Sequence, residues 1–378
     1  MPDVDLVVIG AGLSGCALIS RLRQLGWGRS IALVEAGRGP GGRTATRRRR
    51  DDHDWRLDHG APGIDLPQPL SKGLNELLQP LQQSGALIQD RSLQVILDEK
   101  GATSSASEDT ASREARWRGW PCMSSICAAL LDQAGTANLQ VHWQQRVRFL
   151  SRSNGSWIAT NDSRTFVISS SRLVLSGSLL AHPRSLAMLD WQDVPLRVAV
   201  TQGTDPSLDL ALQRLALSES DVRWNLMLEI AVDASELPRQ IRLTPEAQKR
   251  WGVERIVLQP QLVGRTGMVV HGSHDGSAIT PSSQPQLMEA NRRRLTGALD
   301  GLLEPWPELR SACRRAKDLG VMRWGASQPL NNPVEQQHQW CDISRVGFCG
   351  DYVEGPGFGA AKGALESAVA LADRLVHT

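Results

Sequence analysis

Three glycine-rich stretches hold the residues whose types and spacing point to chemistry. In residues 5–15, Asp-Leu-Val-Val-Ile-Gly-Ala-Gly-Leu-Ser-Gly, an apolar run ends in Gly10-x-Gly12-x-x-Gly15 and passes straight into a helical pattern. Gly10 permits a tight turn, Gly12 lets the backbone approach a diphosphate, and Gly15 lets strand and helix pack closely. The diphosphate then meets the free amides at the positive end of the helix. Glu35 stands 20 residues after Gly15 and closes a second apolar run, Ser30-Ile-Ala-Leu-Val. A carboxylate there accepts both hydroxyls of an adenosine ribose and disfavours a 2′-phosphate. Strand, glycine turn, helix and acid at these spacings predict a dinucleotide-binding unit.

The other two stretches widen the ligand. In Gly41-Gly42-Arg43, two residues without Cβ allow close backbone approach and one cation can neutralise a diphosphate. Near the far end, Gly350-Asp351 is followed by Gly355-Pro-Gly-Phe-Gly-Ala at the start of the last helix. A carboxylate delivered there can hold a ribityl chain. The helix dipole would stabilise negative charge on a reduced isoalloxazine ring. A nicotinamide dinucleotide needs only the first unit. A ligand gripped from both ends of the chain is better explained by FAD.

These residues need elements to position them. The pattern predicts a helix over 13–25 ended by Gly26, a loop over 37–44, and a basic-then-acidic surface hairpin over 47–54. A short helix is expected over 72–79, stopped by Pro80, and a loop or weak hairpin over 101–114. Strands are expected at 141–150, 157–159, 166–169 and 173–175, then at 196–201, 224–230, 256–262 and 268–272. A long helix covers 287–303. In the last helix Leu365, Val369, Ala372, Leu375 and Val376 fall on one stripe.

Composition narrows the class. At 378 residues the chain can hold two domains, and its formal net charge of +2 gives no electrostatic case for nucleic-acid or membrane partners. No apolar run approaches the roughly 18 residues of a membrane span. The start, Met1-Pro-Asp-Val-Asp, lacks a basic leader, so a cytoplasmic location is expected. The six cysteines have no metal-ligand spacing and read as buried free thiols, with no metal site expected.

Further strings carry a family resemblance. Gly41-Gly-Arg-Thr-Ala-Thr-Arg with Leu57-Asp-His-Gly-Ala resembles the flavin amine oxidase superfamily, specifically its renalase-like branch. Trp117-Arg-Gly-Trp-Pro-Cys-Met-Ser, Met322-Arg-Trp-Gly-Ala and Gly347-Phe-Cys-Gly-Asp are similar to later landmarks of that branch, in its order. The ends match well and the middle, about 180–320, loosely. The resemblance implies an α/β fold of the amine oxidase or p-hydroxybenzoate hydroxylase kind. Its Rossmann-type FAD-binding domain would use residues 1–65, 120–180 and 325–378, and a mixed-sheet α+β substrate domain residues 66–119 and 181–324. It implies noncovalent FAD held by Gly10, Gly12, Leu13, Ser14, Gly15, Glu35, Ala36, Gly42, Arg43, Thr44, Gly60, Ala61, Gly350, Asp351, Gly357, Phe358, Gly359 and Ala360. By the same similarity, Val147 would meet the adenine through its backbone. Cys349, inside an apolar strand end, reads as a packed thiol rather than a flavin attachment point.

For the reaction, no general base stands out. The five lysines lie off any obvious flavin-facing strand, and a single tyrosine, Tyr352, cannot build an amine cage. His271, Arg323 and Trp324 are the substrate-side candidates, on strands aimed toward the cofactor; His53, His182, His274, His338 and His377 read as surface or loop residues. These features favour a renalase-type reaction, in which isomeric dihydro forms of NAD(P)H reduce FAD and oxygen reoxidises it to give hydrogen peroxide. An amine oxidase or a desaturase of polyenes or tetrapyrroles, and a flavin-binding protein without turnover, stay open as alternatives.

Overall fold

In the computed structural model, residues 2–52, 54–105, 115–262, 264–277 and 279–378 are described. The N-terminal apolar run forms β1 (Val4–Ile9), the helical pattern α1 (Leu13–Gln24), and the second apolar run β2 (Ile31–Val34). Gly26, at φ +80°, donates to Arg23 and stops α1 where the sequence predicts. A hairpin of β3 (Thr46–Arg48) and β4 (Arg56–Asp58) follows, then α2 (Lys72–Gln83) and α3 (Ser124–Ala134). Next come β5 (Leu139–His142), β6 (Val147–Ser153), β7 (Ser156–Asn161), β8 (Val167–Leu175) and α4 (Pro206–Leu217). Strands β9 (Ser220–Ile230), β10 (Val253–Pro260) and β11 (Thr266–Gly272) precede α5 (Gln284–Leu302) and β12 (Lys317–Pro329). The chain closes through β13 (Val346–Phe348) and α6 (Ala361–Leu375).

Two sheets result. In the first, β5, β2, β1 and β8 lie parallel in that order; β8 pairs β13 in parallel and β7 antiparallel, and β7 pairs β6. Helices α1, α2, α3 and α6 pack one apolar face of this sheet through Leu18, Leu77, Ile126 and Leu371. The second sheet runs β12–β9–β11–β10 and continues into the strands Gln240–Leu243, Gln94–Leu97 and Thr103–Ser105. Its apolar face packs on α5, with Leu226, Ile256, Met268, Leu295 and Leu299 in one core. No helix among the described residues is long and apolar enough to cross a membrane.

Several expectations shift for physical reasons. Pro80 does not end α2, which runs to Gln83 because Leu74, Leu77, Leu78 and Leu81 stay on one buried stripe. The carbonyl an interior proline cannot serve, that of Glu76, accepts Gln24 Nε2 at 3.4 Å instead. The strand expected over 141–150 breaks into β5 and β6 at Gln144, φ +59°. Residues 196–201, expected as a strand, lie mostly in the helix Pro195–Ala199, since Pro195 presets φ for a first turn. The strands expected at 166–169 and 173–175 are one strand, β8.

Packing also bears on the expected domain boundaries. Helix α2 shares a core with α1 and α6, and α4 shares one with β6 and β8, so both belong with the first sheet rather than the second. Residues 106–114 of the expected 101–114 loop, and His53, lie outside the described residues. The segment before them forms a hairpin, Thr103–Ser105 on Gln94–Leu97.

The 47–54 hairpin is no free surface loop. Arg49 pairs with Glu229 of β9 at 2.8 Å, and its guanidinium lies 4.3 Å above the ring of buried Trp55. Leu57 joins Trp55, Met227 and Val269 in a small core between this hairpin and the second sheet. Truncating Leu57 to alanine should cost about 2–5 kcal/mol, the range for a buried leucine. Urea unfolding of Leu57→Ala should show a midpoint well below that of the unmutated chain.

Candidate functional site

The site starts where β1 ends. Gly10 sits at φ +104°, and a Cβ on Gly15 would lie 2.1 Å from the Gly10 carbonyl oxygen, so only glycine lets α1 begin there. Gly12 caps α1 with no side-chain cap on the helix amides, and Leu13 and Ser14 follow, both buried. Gly42, at φ +53°, sets its backbone against Gly12: a Cβ there would be 3.0 Å from Gly12 Cα. A second turn thereby rests on the first.

Glu35, at the end of β2, accepts the Ala11 amide at 2.7 Å through Oε2 and the Gly37 amide at 2.6 Å through Oε1. These two bonds fix the carboxylate while leaving a second lone pair on each oxygen. Ala36 beside it is exposed. Its neighbours Gln144 and Gln145 bond the carbonyls of Gly37 and Glu35, and buried Val147 begins β6 just beyond them.

The far end of the chain arrives through Arg43. Its Nη1 and Nη2 donate to both oxygens of Asp351 at 2.5 and 2.6 Å, and Nη1 also donates to the Ser327 carbonyl. The cation and carboxylate expected to grip separate parts of a ligand thus form a bidentate pair across 308 residues. Thr44 turns inward instead, its hydroxyl donating to Gly41 O at 2.7 Å. Gly60 packs on the same turn, where a Cβ would be 2.0 Å from Arg43 O, and the Ala61 amide donates to that oxygen.

Gly350, at φ +157°, precedes Asp351, whose carbonyl accepts the Gly359 amide at 2.8 Å. Gly357 and Gly359 have positive φ and carry the chain past half-buried Phe358 to exposed Ala360, which caps α6 with no side-chain bond. Two helix N-termini and one ion pair therefore converge. The cluster includes Gly10, Gly12, Gly15, Glu35, Gly42, Arg43, Gly60, Gly350 and Asp351.

On the second sheet the pleat sorts the candidates. His271, on β11, is the register partner of Asn225 on β9 and shares its face. Trp324 faces the first sheet, stacked on His59 at a ring-centroid distance of 5.6 Å and donating through Nε1 to His59 O at 3.2 Å. Arg323, one residue earlier, faces the other way. Its guanidinium lies 5.8 Å from the ring of Trp224, which is in the core against α5. Arg323 is therefore corrected from a cofactor-facing residue to one on the opposite face.

Sequence reasoning missed several groups. Asn225, 1% exposed, donates to His59 O at 2.9 Å. His59 Nδ1, Asn225 Oδ1 and His271 Nε2 are all buried with no partner among the described residues. Ser176, at the end of β8, donates to Gly10 O at 2.8 Å, and Arg184 follows in the same loop. His182, expected as a surface or loop residue, is buried, with Nε2 on Ser218 O and Nδ1 accepting the Arg184 amide. Only the Ser-Gly after the apolar run of β8 could have hinted at Ser176. Nothing local marks the rest.

Residues 8–79 match the NAD(P)-binding Rossmann-like domain family. Among curated protein sequences none matches. Solved structures do match along the chain. An oxidoreductase from Methanosarcina mazei is 14% identical with a TM-score of 0.62, covering 98% of this chain and 100% of its own. Cyclohexylamine oxidase from Brevibacterium oxydans IH-35A is 12% identical at 0.61, covering 100% and 99%. Putrescine oxidase bound to putrescine is 12% identical at 0.60, covering 99% of each. The chain has the amine oxidase fold. Its Rossmann unit and mixed second sheet are those the sequence predicts.

Burial holds the histidines neutral. It draws His59 and His182 down to about 4, with nearby Arg47 and Arg184 adding to the effect, and draws His271 far below its ordinary value. In unfolded chain each binds a proton near pH 6.5, so unfolded protein takes up more protons as pH falls. Stability conferred by these neutral histidines should therefore decline as pH falls from about 6.5 to about 4. Melting temperatures across that interval should fall, and His182→Gln should flatten the decline.

Proposed function

We propose that this chain is an FAD-dependent oxidoreductase whose first sheet holds the dinucleotide and whose second sheet faces the ring. The carrying observation is the Arg43–Asp351 pair, which joins the glycine turns from both ends of the chain into one groove. The residues fit the group. Gly12 has open space above it, with Gly42 Cα at 3.8 Å the nearest atom to an added Cβ, and neither α1 nor α6 has a side-chain cap. Glu35 keeps lone pairs for ribose hydroxyls. Burial pushes the Cys349 thiol up to about 12, which supports noncovalent binding because a buried thiol resists becoming a thiolate nucleophile.

When bound, FAD would supply a hydride acceptor, with oxygen as the final acceptor giving hydrogen peroxide. The protein's part would be to position a donor against Trp324, Asn225, His271 and His59. We read that donor as a reduced nicotinamide dinucleotide, including its isomeric dihydro forms. An amine must first lose its ammonium proton, and a base is needed for that. Here His271 and His59 are too weakly basic, since burial favours the neutral form of both. Lys362, which is buried, donates to the carbonyls of Pro67 and Pro69. The hydroxyl of Tyr352 is buried on Leu175 O. A dihydronicotinamide needs only placement.

Purified protein should be yellow, and its flavin should bleach anaerobically with partly isomerised NADH and regain colour in air with peroxide release. Bleaching by an amine instead would favour amine oxidation. Colourless protein that refuses FAD would overturn the whole proposal. Gly12→Ala separates binding from folding. With no atom nearer than 3.8 Å, an added methyl should leave the melting temperature of flavin-free protein nearly unchanged. It should still lower FAD retention, because it fills the diphosphate's approach.

A further inference from the structure

We propose that Arg184 is a second cation of the dinucleotide groove, kept there without a counter-ion so that it pairs with a diphosphate. The inference rests on the flavin reading above and concerns a residue that neither motif nor resemblance marks.

Its place is set by the loop after β8. Ser176 Oγ donates to Gly10 O, Ser14 Oγ donates to Ser176 O at 3.1 Å, and a Cβ on Gly350 would lie 3.4 Å from that same oxygen. The start of this loop therefore touches both the first glycine turn and the Gly350–Asp351 turn. Two residues later, Ser178 accepts Arg184 Nη2 at 2.9 Å, tying the half-buried guanidinium to the start of this loop. The Arg184 backbone is fixed as well, since its amide donates to His182 Nδ1.

Charge does not balance there. Asp351 is the carboxylate nearby, and both its oxygens already receive Arg43, on a side chain only 5% exposed. Arg184 has a serine hydroxyl as acceptor, and no carboxylate within ion-pair distance among the described residues. Burial first, and then the field of Arg43, lowers its guanidinium to about 10. Two arginines with one carboxylate near them leave an excess positive charge in a place partly removed from water. Such a charge destabilises a protein that has no anion to offer it. A dianionic diphosphate supplies the missing charge, and guanidinium is well shaped to receive it.

The test uses full-length protein stripped of flavin, with Arg184→Met and Arg184→Lys beside the unmutated chain. FAD and riboflavin, which lacks the diphosphate, are the probes, followed by fluorescence quenching. Arg184→Met should weaken FAD binding by about tenfold or more while riboflavin changes by less than about twofold, as expected for a lost charge-assisted bond. Its flavin-free form should melt at or above the temperature of the unmutated chain, because an uncompensated cation has been removed. Arg184→Lys should regain part of the FAD affinity. Unchanged FAD affinity would overturn the proposal, as would a parallel loss of FAD and riboflavin together with a lower melting temperature. If unmutated protein takes up neither probe, the flavin reading itself fails and this proposal with it; if it takes up FAD, only the Arg184 variants decide.

Discussion

Two peptide backbones can touch only where no side chain stands between them, and this chain uses that constraint three times within one groove. The Gly10 carbonyl lies where a Gly15 Cβ would be, Gly42 rests on Gly12, and the Arg43 carbonyl lies where a Gly60 Cβ would be. The first closes the turn into α1; the second sets the 41–44 turn against Gly12, and the third sets residues 60–61 against Arg43. Because these contacts are backbone to backbone, a neighbour cannot swing aside to admit a methyl group. The uncapped amides, the Glu35 carboxylate and the Arg43–Asp351 pair all take their positions from that stacking.

How the second sheet is fastened above the groove follows from amide chemistry. Gln259 and Gln261, two residues apart, point to one side of the strand end and bond the backbone of β4. Gln259 accepts the Asp58 amide and donates to the Asp58 carbonyl, both at 2.8 Å; Gln261 does the same for Arg56. The side chains act as an extra strand edge, so β4 is satisfied without joining the sheet. Asp58 itself is buried, taking Thr46 Oγ1 at 2.6 Å and the Met123 amide at 2.9 Å. Burial raises its carboxyl above the ordinary range, with those bonds working against the shift. The next residues, His59 to Ala61, are thereby held between Trp324 and the Arg43 turn.

Legibility in the sequence tracks how local each cause is. The glycine turns could be read because a missing Cβ is visible in one residue and its spacing to a helix in a few more. Trp324, His271 and Arg323 could be singled out by residue type and strand, yet which side of a sheet each faces depends on pleat phase, and pairing with Trp224 sets Arg323 opposite to Trp324. Pro80 failed as a helix stop because the burial of Leu77, Leu78 and Leu81 outweighs one lost hydrogen bond. Asn225, Ser176 and Arg184 carry no local mark at all. Their roles arise from loops and register that join residues more than a hundred positions apart.

The electrostatic character of the site argues about chemistry more firmly than any single residue. Histidine is the usual acid–base group near neutral pH, yet both histidines on the facing surface are held neutral by burial, and arginines nearby reinforce that state. Their unpartnered nitrogens, with Asn225 Oδ1, offer hydrogen bonds rather than proton transfer. Under the nicotinamide reading proposed above, neutral donors and acceptors near Trp324 would meet a flat, uncharged, amide-bearing ring. Such groups suit poorly the deprotonation of a cation. A donor already primed to release hydride, as proposed here, would ask of the protein only alignment.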